Sequence, residues 1–219
     1  MRKFEDTYLH KGLRKKLVDQ LKEKGITDEN VLEAINNIPR HFFLDSAFDK
    51  IAYEDRAFPI GNGQTISQPY TVAYQTQLLQ IKKGDKVLEI GTGSIYQSSV
   101  LAEMGAWVFT IERQKSLYEA HQQFVFRKKY PTIKFFYGDG FEGLATFAPF
   151  DKIIVTAAAP YIPQKLVQQL KSGGLMVIPV NENEKTQRML RIGKTADGTT
   201  NEEQFDLFSF VPMLTGKNG

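Results

Sequence analysis

The sequence predicts an α/β protein built on a doubly wound, mostly parallel sheet, with a helical cap ahead of it and antiparallel edge strands behind it. Three observations predict this. Five short runs apolar on both faces follow Lys86, helical segments alternate with them, and the first run enters a glycine-rich turn that opens a helix. At 219 residues with 42% hydrophobic side chains, one core is the simplest expectation, giving a single domain over 1–219. Within it, 1–80 supplies the cap and a long loop, 81–180 the α/β core, and 181–219 the edge strands.

The first element spans about Tyr8 to Lys24, where Leu9, Leu13, Leu17 and Leu21 recur at a four-residue spacing and Gly25 acts as a stop. A second helix is expected from Asp28 to Asn37, burying Val31, Leu32, Ile35 and Ile38 and ending before Pro39. From Pro39 to Pro69 the periodicity disappears while aromatic, Gly and Pro content rises, which reads as a long ordered loop of the kind that carries function. The strands are Val87–Ile90, Trp107–Ile111, Ile133–Tyr137, Lys152–Thr156 and Leu175–Pro179. The crossover helices lie near Tyr96–Glu103, Lys115–Lys128 and Pro163–Leu170. Gln187–Ile192 and Phe205–Val211 are too close together for a helical crossover, so the Asp197-Gly198 turn joins them as an antiparallel pair.

Several classes of function are disfavoured by composition. The net charge is +3 and basic residues are interspersed with acidic ones, so nucleic acid is not expected as a partner. No apolar stretch approaches about 18 residues and the segment Met1 to Asp6 has no apolar run, so no membrane partner is expected and a cytoplasmic location is. With no cysteine and with His10, His41 and His121 far apart in sequence, no metal is expected.

The chemistry-bearing segment is Val87-Leu88-Glu89-Ile90-Gly91-Thr92-Gly93, a strand feeding a glycine turn that lets the backbone approach a ligand. Glu112 ends the next strand, 21 residues after Gly91, where a carboxylate can accept hydrogen bonds from ribose hydroxyls; pairing with Arg113 or capping a helix is the structural alternative. Position 96 is Tyr, so the third glycine of a dinucleotide fingerprint is missing and hydride chemistry is disfavoured. The loop compares better with that of methyltransferases using S-adenosylmethionine, and Asp139-Gly140 then fits an adenine-side contact.

Longer segments extend the comparison. Gly61 to Tyr70 (GNGQTISQPY), Val87 to Ser94 (VLEIGTGS), Gly138-Asp139-Gly140, Ala148 to Asp151 (APFD), Ile153 to Pro163 (IIVTAAAPYIP) and Phe210-Val211-Pro212 together resemble the signature segments of the protein-L-isoaspartate O-methyltransferase family, over nearly the whole chain. The resemblance implies a methyltransferase fold with S-adenosylmethionine as cofactor. It also implies methylation of the α-carboxylate of L-isoaspartyl residues in damaged proteins, with isoaspartyl-containing peptides and proteins as partners; a monomer is expected. By the same resemblance Ser67 is the catalytic serine. Gln64, Thr65, Ile66, Tyr70, Glu89, Gly91, Gly93, Ser94, Glu112, Asp139 and Gly140 meet the cofactor, and Thr156, Ala157, Val211 and Pro212 meet the substrate. Without it, Ser67 reads as a turn serine, Thr156 and Ala157 as loop closure, and Asp151 as a turn or capping residue.

Three positions depart from the family. Ile95 replaces a glycine expected in the cofactor loop, where a β-branched side chain would crowd the methionine moiety and resist positive φ; such a clash costs on the order of 1–3 kcal/mol, roughly tenfold to a hundredfold in affinity. Asn181 stands where glycine is expected, and Trp107 is large for its place. Ile95 keeps an alternative open: a decayed or remodelled scaffold that binds an isoaspartyl peptide or another small molecule without methyl transfer, with Glu112 or His121 available as a base.

Overall fold

The computed structural model describes residues 4–219; Met1 to Lys3, part of the N-terminal segment considered above, lie outside the described residues. Seven strands form one sheet in the order β5-β4-β3-β6-β7-β8-β9, built from β3 (Lys86–Ile90), β4 (Trp107–Glu112), β5 (Ile133–Tyr137), β6 (Phe150–Val155), β7 (Leu170–Asn181), β8 (Gln187–Lys194) and β9 (Thr200–Phe208). The pairings from β5 through to β7 are parallel, while β7 to β8 and β8 to β9 are antiparallel. This is the expected doubly wound sheet with its antiparallel edge. The crossovers are α4 (Tyr96–Glu103), α5 (Lys115–Gln123) and α6 (Gln164–Gln169).

Alternation along the strands divides the core into two layers. Val87, Val108, Ile154 and Val177 pack with the N-terminal helices, whereas Leu88, Phe109, Ile153 and Ile178 pack with Phe150 and Leu166 on the other face. Asp151, expected as a turn or capping residue, lies on β6 and joins strands: Lys86 N–H donates to its Oδ2 at 3.0 Å and Lys171 Nζ to its Oδ1 at 2.7 Å.

The cap consists of α1 (Tyr8–Glu23), α2 (Glu29–Asn37) and a helix the sequence reading did not identify, α3 (Pro69–Leu79). Leu9 is 67% exposed, although it was expected on the buried stripe. A four-residue spacing drifts about 40° per step around an α-helix, so Leu9 has turned away from the face on which Arg14, Leu17, Val18 and Leu21 are buried. α3 shows no apolar stripe because it is buried almost all round, Thr71, Gln75 and Thr76 included. Its first turn is capped from outside, with Asp55 Oδ1 accepting from Tyr70 N–H at 2.8 Å.

The loop from Pro39 to Pro69 is ordered, as expected, but contains a hairpin of β1 (Phe58–Gly61) and β2 (Gln64–Ile66). Asn62 and Gly63 at its tip both have positive φ, the geometry for which an Asn-Gly pair is suited. Trp107 opens β4 and is 49% exposed, and Asn181 lies outside the positive-φ region, so neither departure strains the fold. The histidines are not all far apart in space: His10 and His41 stack at 3.8 Å, and with Asp6 they bring three donor atoms within 4.8 Å of one another. Arg14 donates twice to Asp6 at 3.0 Å, so an ion placed there would face a guanidinium.

Candidate functional site

The sheet reverses its winding between β3 and β6, and at the C-terminal ends of these strands lies a cavity of about 670 Å³. One wall is the segment Gln64 to Gln68 with Tyr70; the floor is the turn Gly91 to Ser94; the far side is the strap Leu207 to Leu214. The strap is pinned by three bonds at 2.8 Å, two of them main chain to main chain, Ala158 N–H to the Val211 carbonyl and Met213 N–H to the Ala158 carbonyl, and one from Phe210 N–H to the side-chain Oε1 of Gln187.

The turn is a bare main-chain cradle. Gly91 has φ +99°, and a Cβ there would stand 2.6 Å from Thr156 Oγ1, which itself donates to the Gly91 carbonyl at 2.8 Å and the Ile90 carbonyl at 3.0 Å. Gly93 is held at both ends. Its N–H donates to Glu112 Oε2 at 2.9 Å, and its carbonyl accepts from His121 Nε2 at 2.6 Å. Glu112 Oε1 accepts from Gln114 N–H at 2.8 Å, and burial raises the pKa of this carboxyl against those backbone bonds. Burial pushes His121 down to about 4, which keeps it neutral with its proton on Nε2 and leaves Nδ1 without a partner among the described residues.

Gln64, Thr65, Ile66, Ser67, Tyr70, Gly91, Gly93, Ser94, Glu112, Gly140, Thr156, Ala157, Val211 and Pro212 all line this one cavity. Glu89 and Asp139 do not. Glu89 is wholly buried beneath α4, accepting from Ser98 Oγ, and burial pushes its carboxyl up to about 8. Asp139 accepts from Phe141 N–H at 2.9 Å and Gly216 N–H at 2.6 Å, so it ties the C-terminal segment to the sheet. Glu112 lies on the wall with both oxygens also bonded to the main chain, so the ribose and capping readings of it are compatible.

Ile95 is not where its crowding was expected. It occupies the left-handed region at φ 71°, is 3% exposed, and is absent from the cavity wall; it lines a separate apolar recess with Phe42, Phe43, Leu117 and Phe124. Its side chain leaves the loop on the side opposite the main cavity. The β-branched residue holds the positive φ of this place in the loop. His121 likewise lines the recess and spends its one donor on Gly93, which leaves no base in the main cavity from that residue.

Tyr96, Gln97, Arg113 and Thr186 also line the cavity, as does most of the strap, and the sequence reading had not singled them out for it. The Asn62-Gly63 pair was a hairpin signal that would have delimited the Gln64 wall; nothing comparable marks the strap. Gln97 Oε1 and Thr186 Oγ1 are buried on the wall without a partner among the described residues. Together with the glycine cradle and the acidic Glu112, these acceptors fit a polar nucleoside ligand with donors of its own.

Comparisons with known proteins agree with this geometry. The family model for protein-L-isoaspartate(D-aspartate) O-methyltransferase matches residues 12–218. The protein-L-isoaspartate O-methyltransferase of Cytophaga hutchinsonii is 59% identical over 215 residues, covering 98% of this chain and 96% of that one; its Flavobacterium psychrophilum counterpart is 53% identical over 214 residues, covering 98% and 100%. A solved protein-L-isoaspartate O-methyltransferase, 28% identical, superposes with TM-score 0.80 over 91% of this chain, which spans 65% of that chain. A Plasmodium falciparum protein assigned to the same family was solved in complex with S-adenosyl-L-homocysteine. It is 25% identical with TM-score 0.78, and the match covers 92% of this chain and 98% of that one. The chain belongs to the protein-L-isoaspartate(D-aspartate) O-methyltransferase family.

Proposed function

We propose that this protein methylates the α-carboxylate of L-isoaspartyl residues in damaged proteins, with S-adenosylmethionine as the methyl donor. The observation that carries the reading is the convergence of the Ser67 loop, the Gly91–Gly93 cradle and the strap on one cavity, within this family's fold. Bound S-adenosylmethionine supplies a methyl group on a sulfonium, an electrophile strong enough for a carboxylate to attack without a general base.

What the chain must supply is position and dryness. Gly91, Gly93, Ser94, Glu112 and Gly140 form the cofactor side with Gln64, Thr65, Ile66 and Tyr70, while Glu89 and Asp139 support that side from behind the wall. Thr156, Ala157, Val211 and Pro212 form the substrate side, and the Ser67 hydroxyl holds the carboxylate. Arg113 is the only basic side chain on the described wall, and its guanidinium donates to the Thr215 carbonyl at 3.3 Å and the Gly216 carbonyl at 3.2 Å. An incoming carboxylate therefore meets hydroxyls rather than an ion pair. That suits a reaction in which its charge disappears, since a strong ion pair would stabilise the ground state more than the transition state.

The same reading keeps the protein a cytoplasmic, single-domain monomer with no nucleic-acid or membrane partner. Among the described residues no helix is long and apolar enough to cross a membrane. The test is transfer of labelled methyl to a peptide carrying one isoaspartyl residue, beside the same peptide with normal aspartyl. Transfer to the first alone is expected, and no transfer at saturating cofactor would overturn the assignment.

A further inference from the structure

Arg40 is wholly buried, and no carboxylate pairs with it among the described residues. Burial lowers its pKa to about 10, which leaves it protonated at neutral pH. Asp55 acts on it only through its charge, and a buried cation with no carboxylate in direct contact is costly and is retained where its donors are needed. Its donors converge on main-chain carbonyls of one segment: Nε donates to Ala52 at 3.0 Å, and Nη2 to Ser67 at 2.9 Å and Arg56 at 3.4 Å. The plane of the guanidinium lies over the Tyr96 ring at 4.9 Å, at the first residue of α4 and on the wall of the cavity.

Ser67 needs such a tether. It falls between the end of β2 at Ile66 and the start of α3 at Pro69, so no ladder or helix bond holds its carbonyl. Ser67 lines the cavity, and its hydroxyl makes no hydrogen bond to any described residue. We propose that Arg40 is a positioning residue for the Ser67 hydroxyl, clamping the Ser67 main chain to the helix that follows the cofactor loop. This rests on the function proposed above. The planar fork explains the choice of arginine: a lysine ammonium cannot reach Ala52 and Ser67 from both edges at once. Nη1 finds no acceptor among the described residues, so the fork is kept although one of its arms is not satisfied by them.

The experiment measures Arg40→Lys, Ser67→Ala and the double variant for kcat and KM on an isoaspartyl peptide, with S-adenosylhomocysteine affinity and amide hydrogen exchange alongside. Misplacement on the 1 Å scale costs about 100-fold in rate. Arg40→Lys is expected to lower kcat by at least about tenfold, to keep cofactor affinity within about threefold, and to speed exchange locally in residues 52–68. Ser67→Ala should then cost less than about twofold more, because the hydroxyl is already misplaced. Losses that multiply, or a fall in melting temperature with kcat unchanged, would overturn the proposal. If Arg40→Lys does not fold, Arg40→Gln, which removes the buried charge, is measured in the same way; failure of both to fold overturns the positioning role in favour of a folding one. A wild-type protein that transfers no methyl would sink the proposed function separately, and the local exchange response would still decide whether Arg40 holds Ser67.

Discussion

Replacing Ile95 with glycine would restore the residue expected at that place in the loop, and the structure makes a definite statement about the result. Ile95 sits at φ 71° and ψ −3° with its side chain 3% exposed in the apolar recess. Relieving a left-handed backbone gains about 1–2 kcal/mol. Deleting a buried isoleucine side chain costs about 2–5 kcal/mol, and the freedom of glycine in the unfolded chain costs about 0.5–1 kcal/mol more. The balance is a loss of about 0.5–5 kcal/mol, centred on about 3, which at roughly 2–4 °C per kcal/mol for a chain of this size is a fall of several degrees in melting temperature.

Alanine separates the two effects. Ile95→Ala loses the burial and keeps the strain, so it should be less stable than Ile95→Gly by about 1 kcal/mol, the reverse of the usual order within a helix. Chemical denaturation of the three proteins and calorimetric titration with S-adenosylhomocysteine are the assays. Affinity should stay within about threefold throughout, since the side chain is not on the cavity wall. Tenfold tighter binding by Ile95→Gly would show that Ile95 crowds the cofactor after all, and a gain in stability would show that strain outweighs burial.

Two buried groups set opposing pH limits. His121, depressed from 6.5 to about 4, contributes stability that is present above pH 6.5 and is lost as pH falls through that window, whereas Glu89, raised from 4.5 to about 8, contributes stability present below 4.5 and lost as pH rises toward 8. Melting temperature should therefore be flattest between about 4.5 and 6.5, where the two oppose each other, and should fall on the alkaline side up to about pH 8. Glu89→Gln should shrink that alkaline decline to the part carried by Glu112, whose carboxyl burial also raises, and a decline unchanged in the variant would remove Glu89 as its source. Gly91→Ala places a Cβ 2.6 Å from Thr156 Oγ1 at φ +99°; it should cost about 1–3 kcal/mol and weaken S-adenosylhomocysteine binding at least about tenfold, and unchanged affinity would count against the cradle.

What the sequence made legible follows from how each part is stabilised. The parallel strands read clearly because they are buried on both faces, and Glu112 was found because the connection from Gly91 has a characteristic length. α3 was not legible: a helix with Thr71, Gln75 and Thr76 among its buried residues shows no periodicity, and its polar groups are satisfied by partners remote in sequence, as Gln75 Nε2 is by the Val155 carbonyl at 2.9 Å. The outward course of Ile95 was hidden for a related reason. Sequence gives the bulk of a residue but not the side of a loop from which it leaves, and that side was decided by the recess between Phe43, Leu117 and Phe124.

The polar side chains around the cavity direct much of their bonding to the main chain. Glu112 and His121 fix the two ends of Gly93, Thr156 fixes Gly91, and Arg40 fixes Ser67. This is the arrangement expected of a reaction whose nucleophile and electrophile are both competent on arrival, because the barrier that remains is one of placement and desolvation. It also bears on mutagenesis here. Changing Glu112 alters the proposed ribose contact and the path of the Gly93 main chain together, so a loss of cofactor affinity in Glu112→Gln does not by itself identify a ligand contact. Ser67→Ala is cleaner, since its hydroxyl has no bond within the described protein and its removal leaves the loop's own bonds in place.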